Sequence, residues 1–127
     1  MKILVVDDEK NIRATLKSIF EDEGYQVSST ESGEKALSLL SRQWFDLIIL
    51  DVKLPGKDGI QVFEEIKTLD PCPEVLMISG HSNIETAVEA VKMGAYDFLE
   101  KPLSMAKILT AIRNVAEKRM LMTKVQQ

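Results

Sequence analysis

Leu47-Ile48-Ile49-Leu50-Asp51 is an unbroken apolar run that ends in a carboxylate. A strand with one wet face alternates apolar and polar side chains. A continuous run therefore signals a strand covered on both faces, as in the middle of a parallel sheet. Two further runs read the same way: Ile3-Leu4-Val5-Val6, followed by Asp7-Asp8-Glu9, and Val75-Leu76-Met77-Ile78, followed by Ser79. Tyr25 to Thr30 and Tyr96 to Leu99 are shorter or more polar and fit the less protected positions of such a sheet.

The segments between the runs carry helical spacing. Ile12, Leu16, Ile19 and Phe20 share one face of a helix predicted from about Lys10 to Asp22, with Gly24 as its stop. Ser32 or Gly33 opens a second helix bearing Ala36, Leu37, Leu39 and Leu40, and Ile60, Phe63 and Ile66 line a third. Asn83 is placed to cap a fourth, with Ala87, Val88 and Val91 on its face, and Ser104 to cap a fifth running through Ile108, Ile112 and Val115. Five strand and helix repeats with right-handed crossovers give a three-layer α/β fold, a doubly wound parallel sheet with helices on both sides. The competing arrangement is a mixed α+β domain with one edge strand misread.

At 127 residues the chain has the length of one domain. With 45% apolar and 28% charged residues, a disordered or collagen-like chain is excluded. The 16 Lys and Arg against 20 Asp and Glu leave a net charge of −4, which disfavours direct nucleic-acid binding. Cys72 is the single cysteine, so no intrachain disulfide or thiolate cluster forms, and it reads as a filler beside a turn. Met1-Lys2 leads into only four apolar residues, too few for a signal-peptide core or a membrane span. A cytoplasmic protein with no membrane association is expected.

Acidic residues gather where the predicted strands stop. Ligands of an open parallel sheet bind beyond the carboxyl ends of its strands. Asp7, Asp8 and Glu9 follow the first run, Asp51 and Ser79 follow two others, and Lys101 comes just after the last. A single Asp at a strand end is ordinarily a turn or helix cap. Several strand ends agreeing point further. If the first and third strands are neighbours, Asp7 and Asp8 both approach Asp51, and a hard divalent cation such as Mg²⁺ compensates the clustered carboxylates. Lys101 and Ser79 add a charge and a hydroxyl donor suited to phosphoryl oxygens, with Asp51 as a covalent nucleophile. His81, a lone loop histidine, is read as neither base nor ligand.

These residues strongly resemble the receiver domain of bacterial two-component response regulators. The resemblance covers Lys2 to about Arg119 and rests on Asp7-Asp8-Glu9 after the first run, Asp51 followed by Leu54-Pro55-Gly56 and Gly59, Ser79-Gly80, and Gly94-Ala95-Tyr96 leading to Phe98 and Lys101-Pro102. It implies the flavodoxin-like receiver fold with strand order 2-1-3-4-5. It also implies that Asp51 accepts phosphate from the phosphohistidine of a sensor histidine kinase. Asp8, Asp51 and the Lys53 backbone carbonyl would bind Mg²⁺ directly, with Asp7 acting largely through water. Lys101 and Ser79 would clamp the phosphoryl group, Ser79 and Phe98 would form the switch, and Lys101-Pro102 would be a cis peptide. Glu9 is expected in an outer shell or solvated.

The wording from Gly80 through Pro102 looks most like receivers of the nitrogen-regulator class of sigma-54-dependent transcriptional activators. Such a resemblance implies downstream AAA+ and DNA-binding domains and a homodimer. Residues 1–119 are expected to form the receiver, and 120–127 an extension of the last helix or the start of a linker, with Met120, Leu121 and Val125 available to a partner. The other readings are a stand-alone receiver, a phosphorylation-independent interaction domain, and a small Mg²⁺-dependent phosphatase or hydrolase, which lacks a second acid/base group beside Asp51.

Overall fold

The structure is a computed structural model that describes the backbone of residues 1–126 and the side chains of residues 1–121. The strands are β1 (Lys2–Val6), β2 (Gln26–Thr30), β3 (Leu47–Asp51), β4 (Glu74–Ser79) and β5 (Asp97–Glu100). They alternate with helices α1 (Lys10–Asp22), α2 (Gly33–Leu40), α3 (Gly59–Ile66), α4 (Ile84–Lys92) and α5 (Met105–Gln126). All strand pairs are parallel, in the order β2-β1-β3-β4-β5. This is the receiver fold that the resemblance implies.

Continuous apolar runs become central strands because each has two faces to bury. Ile3, Val5, Leu47, Ile49, Leu76 and Ile78 pack with Leu16 and Phe20 of α1 and with Ile108, Ile112 and Val115 of α5. The intervening residues, among them Leu4, Val6, Ile48, Leu50 and Met77, pack with α2, α3 and α4 through Ala36, Phe63 and Ala87. Each fully buried aliphatic side chain contributes about 1.5–3 kcal/mol. β3 is buried along its whole length. At the edges, β2 and β5 keep half-exposed residues, which is why Gln26, Ser28 and Ser29 are tolerated there.

Both edge strands start one residue later than the aromatic residues suggest. Tyr25 and Tyr96 instead lie just before their strands and pack into the cluster shared by α1 and α5. Ser32 caps α2 as expected, its Oγ accepting the Lys35 amide at 3.2 Å, and Ser104 accepts the Lys107 amide at 3.4 Å at the start of α5. Asn83 does not cap α4 through its side chain. The chain enters that helix through a 3₁₀ turn, His81–Asn83, whose Asn83 amide bonds to the Gly80 carbonyl at 3.0 Å. Asn83 therefore lacks the extended backbone that lets a capping side chain reach forward.

Gly59 opens α3 under close constraint. A β-carbon there would collide with the Asp51 carbonyl oxygen and stand 2.8 Å from Val52 Cα, so only glycine lets α3 begin this near the end of β3. Asp58 and Gln61 exchange reciprocal hydrogen bonds of 3.0 Å across the same helix start. Lys101-Pro102 is cis, as the resemblance implies, and Asp70-Pro71 is cis as well.

Among the described residues, ion pairs fasten α5 to the rest of the domain: Arg113 to Glu23 at 2.6 Å, Lys118 to Glu74 at 3.1 Å and Arg119 to Asp46 at 3.3 Å. Arg119 also lies over the Trp44 ring, 5.6 Å from its centroid, and the Trp44 indole N–H donates to Asp46 at 3.2 Å. Met120 and Leu121 are exposed, while the Val125 side chain lies outside the described residues. Among the described residues, no helix is long and apolar enough to cross a membrane.

Candidate functional site

Parallel strands bring their carboxyl ends to a single edge. Asp7 leaves β1 there, Asp51 ends the neighbouring β3, Ser79 ends β4, and Lys101 follows β5. The register that pairs Val6 with Leu50 puts Asp7 beside Asp51. Asp7 is fully buried and Asp51 only 3% exposed, whereas Asp8 faces solvent. A carboxylate oxygen from each of Asp7, Asp8 and Asp51 lies within 4.8 Å of the other two.

Lys101 closes the cluster. Its ammonium stands 2.9 Å from Asp51 Oδ2, 3.2 Å from Asp7 Oδ2 and 3.3 Å from Glu9 Oε1. The second Asp51 oxygen accepts the Lys53 amide at 3.1 Å. Asp7 Oδ1 accepts the Glu9 amide at 2.8 Å, and the Arg13 guanidinium donates to the Asp7 carbonyl, also at 2.8 Å. Asp7 Oδ2 is different. It shares an ion pair with Lys101 but makes no hydrogen bond, although it is buried.

Burial, reinforced by the Asp51 charge, pushes the Asp7 carboxyl from 3.8 up to about 6, against the pull of the Glu9 amide and of Lys101. For Lys101, burial alone would lower the ammonium. The hydrogen bond to Asp51 and the charges of Asp51 and Asp7 outweigh it and hold Lys101 above the usual lysine range. A buried carboxylate oxygen without a hydrogen bond, beside two further carboxylates, is a hard oxygen donor set that fits a divalent cation such as Mg²⁺. The cluster opens into a cleft of about 480 Å³ lined by Asp8, Glu9, Asp51, Lys53, Asn83 and Lys101.

Ser79 lies one strand over from Asp51 and is buried, its hydroxyl donating to the Gly80 carbonyl at 2.7 Å. Its own carbonyl accepts the Lys101 amide at 2.8 Å, which joins the ends of β4 and β5. Phe98 is half-buried on β5, opposite Met77, and packs against the cluster on the α4 side. It borders a separate depression with Pro102, Ser104 and Lys107. Asp7, Asp8, Asp51 and Lys101 are thus brought together, Ser79 is adjacent and Phe98 stands apart.

Sequence reasoning missed several partners. Glu9 is solvated, as expected, yet also pairs with Lys101. Arg13 reaches back over the end of β1, and its place one turn into α1 was the only signal. His81 pairs with Glu100 at 2.9 Å, linking the turn after β4 to the end of β5.

The profile of the response regulator receiver domain family matches residues 3–113. The chain belongs to that family. This receiver is 40% identical over 117 residues to an NtrX-like response regulator of Rickettsia bellii, an alignment covering 91% of this chain and 24% of that protein. It is 40% identical over 127 residues to the nitrogen assimilation regulatory protein NtrX of Azorhizobium caulinodans, covering 98% of this chain and 28% of that one. In three dimensions it matches NtrX from Brucella abortus in complex with ADP, with a TM-score of 0.90 at 39% identity, over 98% of this chain and 29% of that chain. The receiver is closely related to NtrX-like regulators. It spans about a quarter of the length of these curated relatives.

Proposed function

We infer that this receiver takes a phosphoryl group from the phosphohistidine of a sensor histidine kinase onto Asp51, in a Mg²⁺-dependent reaction. The observation that carries the reading is the Asp51 carboxylate, held between the Lys101 ammonium and the Lys53 amide at the floor of an open acidic cleft. An Asp51 oxygen attacks phosphorus as the bond from phosphorus to the donor imidazole nitrogen breaks, leaving an acyl phosphate on Asp51 and a free imidazole. Asp7, Asp8, Asp51 and the Lys53 backbone carbonyl are the groups that would hold Mg²⁺. When bound, the ion supplies positive charge to the phosphoryl oxygens and offsets the repulsion among the carboxylates.

Lys101 then exchanges its contact with the Asp51 carboxylate for a phosphoryl oxygen. Ser79 gives up the Gly80 carbonyl and donates to another. Drawing Ser79 inward frees space beside β5, Phe98 repacks, and the face formed by α4, β5 and α5 is remodelled. In the full-length protein that face controls a cytoplasmic, homodimeric, sigma-54-dependent activator with downstream AAA+ and DNA-binding domains. Residues 1–119 act as the receiver, and 120–127 lead toward the output.

The test is intact-protein mass spectrometry after incubation with acetyl phosphate and Mg²⁺. One phosphoryl addition is expected, absent without the metal and absent in Asp51→Asn. No addition to the folded, Mg²⁺-bound wild type, from acetyl phosphate or from a phosphorylated histidine kinase, would refute the reading.

A further inference from the structure

Glu34 stands in the first turn of α2, outside the acidic cluster. Its carboxylate crosses to the connection between β3 and α3, residues 52–58, where Oε1 accepts the Lys57 amide at 3.2 Å. The same carboxylate backs Gly56, at which a β-carbon would lie 2.7 Å from Oε2. Its neighbour Gly33 is buried against Val62 of α3 and the same loop; a β-carbon there would collide with Val62 Cγ2 and stand 3.0 Å from the Lys57 carbonyl oxygen. The first turn of α2 therefore packs closely on the loop and bonds it at the Lys57 amide.

That loop joins the carboxylate end of β3 to α3. It begins directly after Asp51, and its second residue, Lys53, donates its amide to Asp51 Oδ1. The far side is pinned back to the loop's own first residue, the Gly59 amide bonding to the Val52 carbonyl at 2.9 Å. Between those anchors the Glu34 contact is a bond that reaches the loop from a different element, α2. Loops without a regular ladder open locally at low free-energy cost, so one such bond changes how often the segment is in place.

We propose that Glu34 is a positioning residue for the phosphoacceptor site, holding the loop that presents Lys53 to Asp51. The proposal rests on the reading of Asp51 as a Mg²⁺-dependent phosphoacceptor. Reach is what matters: a glutamine keeps an acceptor oxygen at the same distance, while an aspartate keeps the charge but falls one methylene short.

Glu34→Ala, Glu34→Gln and Glu34→Asp are compared with wild type and with Lys35→Ala, a change at the next exposed position of the same helix turn. Hydrogen exchange at the Lys57 amide is followed by NMR in the metal-free protein, Mg²⁺ affinity by titration, and the phosphorylation rate with acetyl phosphate at saturating Mg²⁺. In Glu34→Ala and Glu34→Asp, Lys57 exchange is expected to rise about tenfold and Mg²⁺ affinity to weaken about two- to tenfold, the worth of one hydrogen bond. Glu34→Gln and Lys35→Ala should stay within about twofold of wild type. Unchanged Mg²⁺ affinity in Glu34→Ala, or equal impairment in Glu34→Gln, would overturn the proposal while leaving the phosphoacceptor reading intact. A wild type that neither binds Mg²⁺ nor takes up phosphoryl would overturn both.

Discussion

Lys101 and Asp51, fifty residues apart in sequence, meet at 2.9 Å because two parallel strands end on the same edge of the sheet. Among the described residues, the lysine is the cation that ion-pairs with both buried carboxylates, Asp7 and Asp51. Removing it leaves two clustered carboxylates uncompensated.

Lys101→Ala should therefore destabilise the metal-free receiver by roughly 1–3 kcal/mol at neutral pH, less than a fully buried pair would lose because its side chain keeps some solvent contact. Millimolar Mg²⁺ should restore part of the loss by binding the folded state. Urea melts with and without Mg²⁺ check both effects. A variant as stable as wild type in EDTA would show that solvent already screens the carboxylates.

Asp7 makes the metal-free receiver sensitive to pH in an unusual direction. Its carboxyl is raised from 3.8 to about 6 in the fold, so over that window the native state binds more protons than the unfolded state. The Asp7 contribution is present below about pH 4 and is lost as pH rises through about 6, an effect on the order of 3 kcal/mol. Subtracting the stability profile of Asp7→Asn from that of wild type, in EDTA, should leave a curve that falls with pH. A flat difference would mean that Asp7 titrates normally.

Gly59→Ala should cost about 3 kcal/mol, because the new methyl group runs into the Asp51 carbonyl and α3 must retreat. The retreat displaces β3's last residue, so Mg²⁺ affinity should fall with stability. Thermal melts paired with metal titration test the coupling, and loss of stability without loss of affinity would separate helix packing from the acidic cluster.

Ser79→Ala tests the switch apart from the chemistry. Phosphoryl uptake at Asp51 should be slowed but retained, since Lys101 and the carboxylates remain, while the NMR changes at Phe98 and along residues 83–120 that accompany phosphorylation in wild type should largely vanish. Wild-type-like changes in the variant would assign the switch to another group.

Central strands and the acidic edge were legible in the sequence because both are written locally. Leu47 to Leu50 is apolar at every position, Asp51 closes that strand, and Asp7 and Lys101 each sit directly after one. What was not legible depends on three-dimensional approach. Nothing adjacent in sequence links Glu34 to Lys57 or Arg13 to the Asp7 carbonyl; each bond exists only once helices are docked on the sheet. Asn83 misled for a related reason. A good capping residue is not a cap when a 3₁₀ turn delivers the chain in the wrong backbone conformation.

Trp44 sits before β3, at the end of the sheet opposite the acidic cleft, stacked beneath Arg119 of α5. The sole indole of the chain is consequently a built-in optical gauge of the distal half of α5 and not of metal binding. Quenching or release of its emission would report whether events around Asp51 travel the length of the domain, with no label attached.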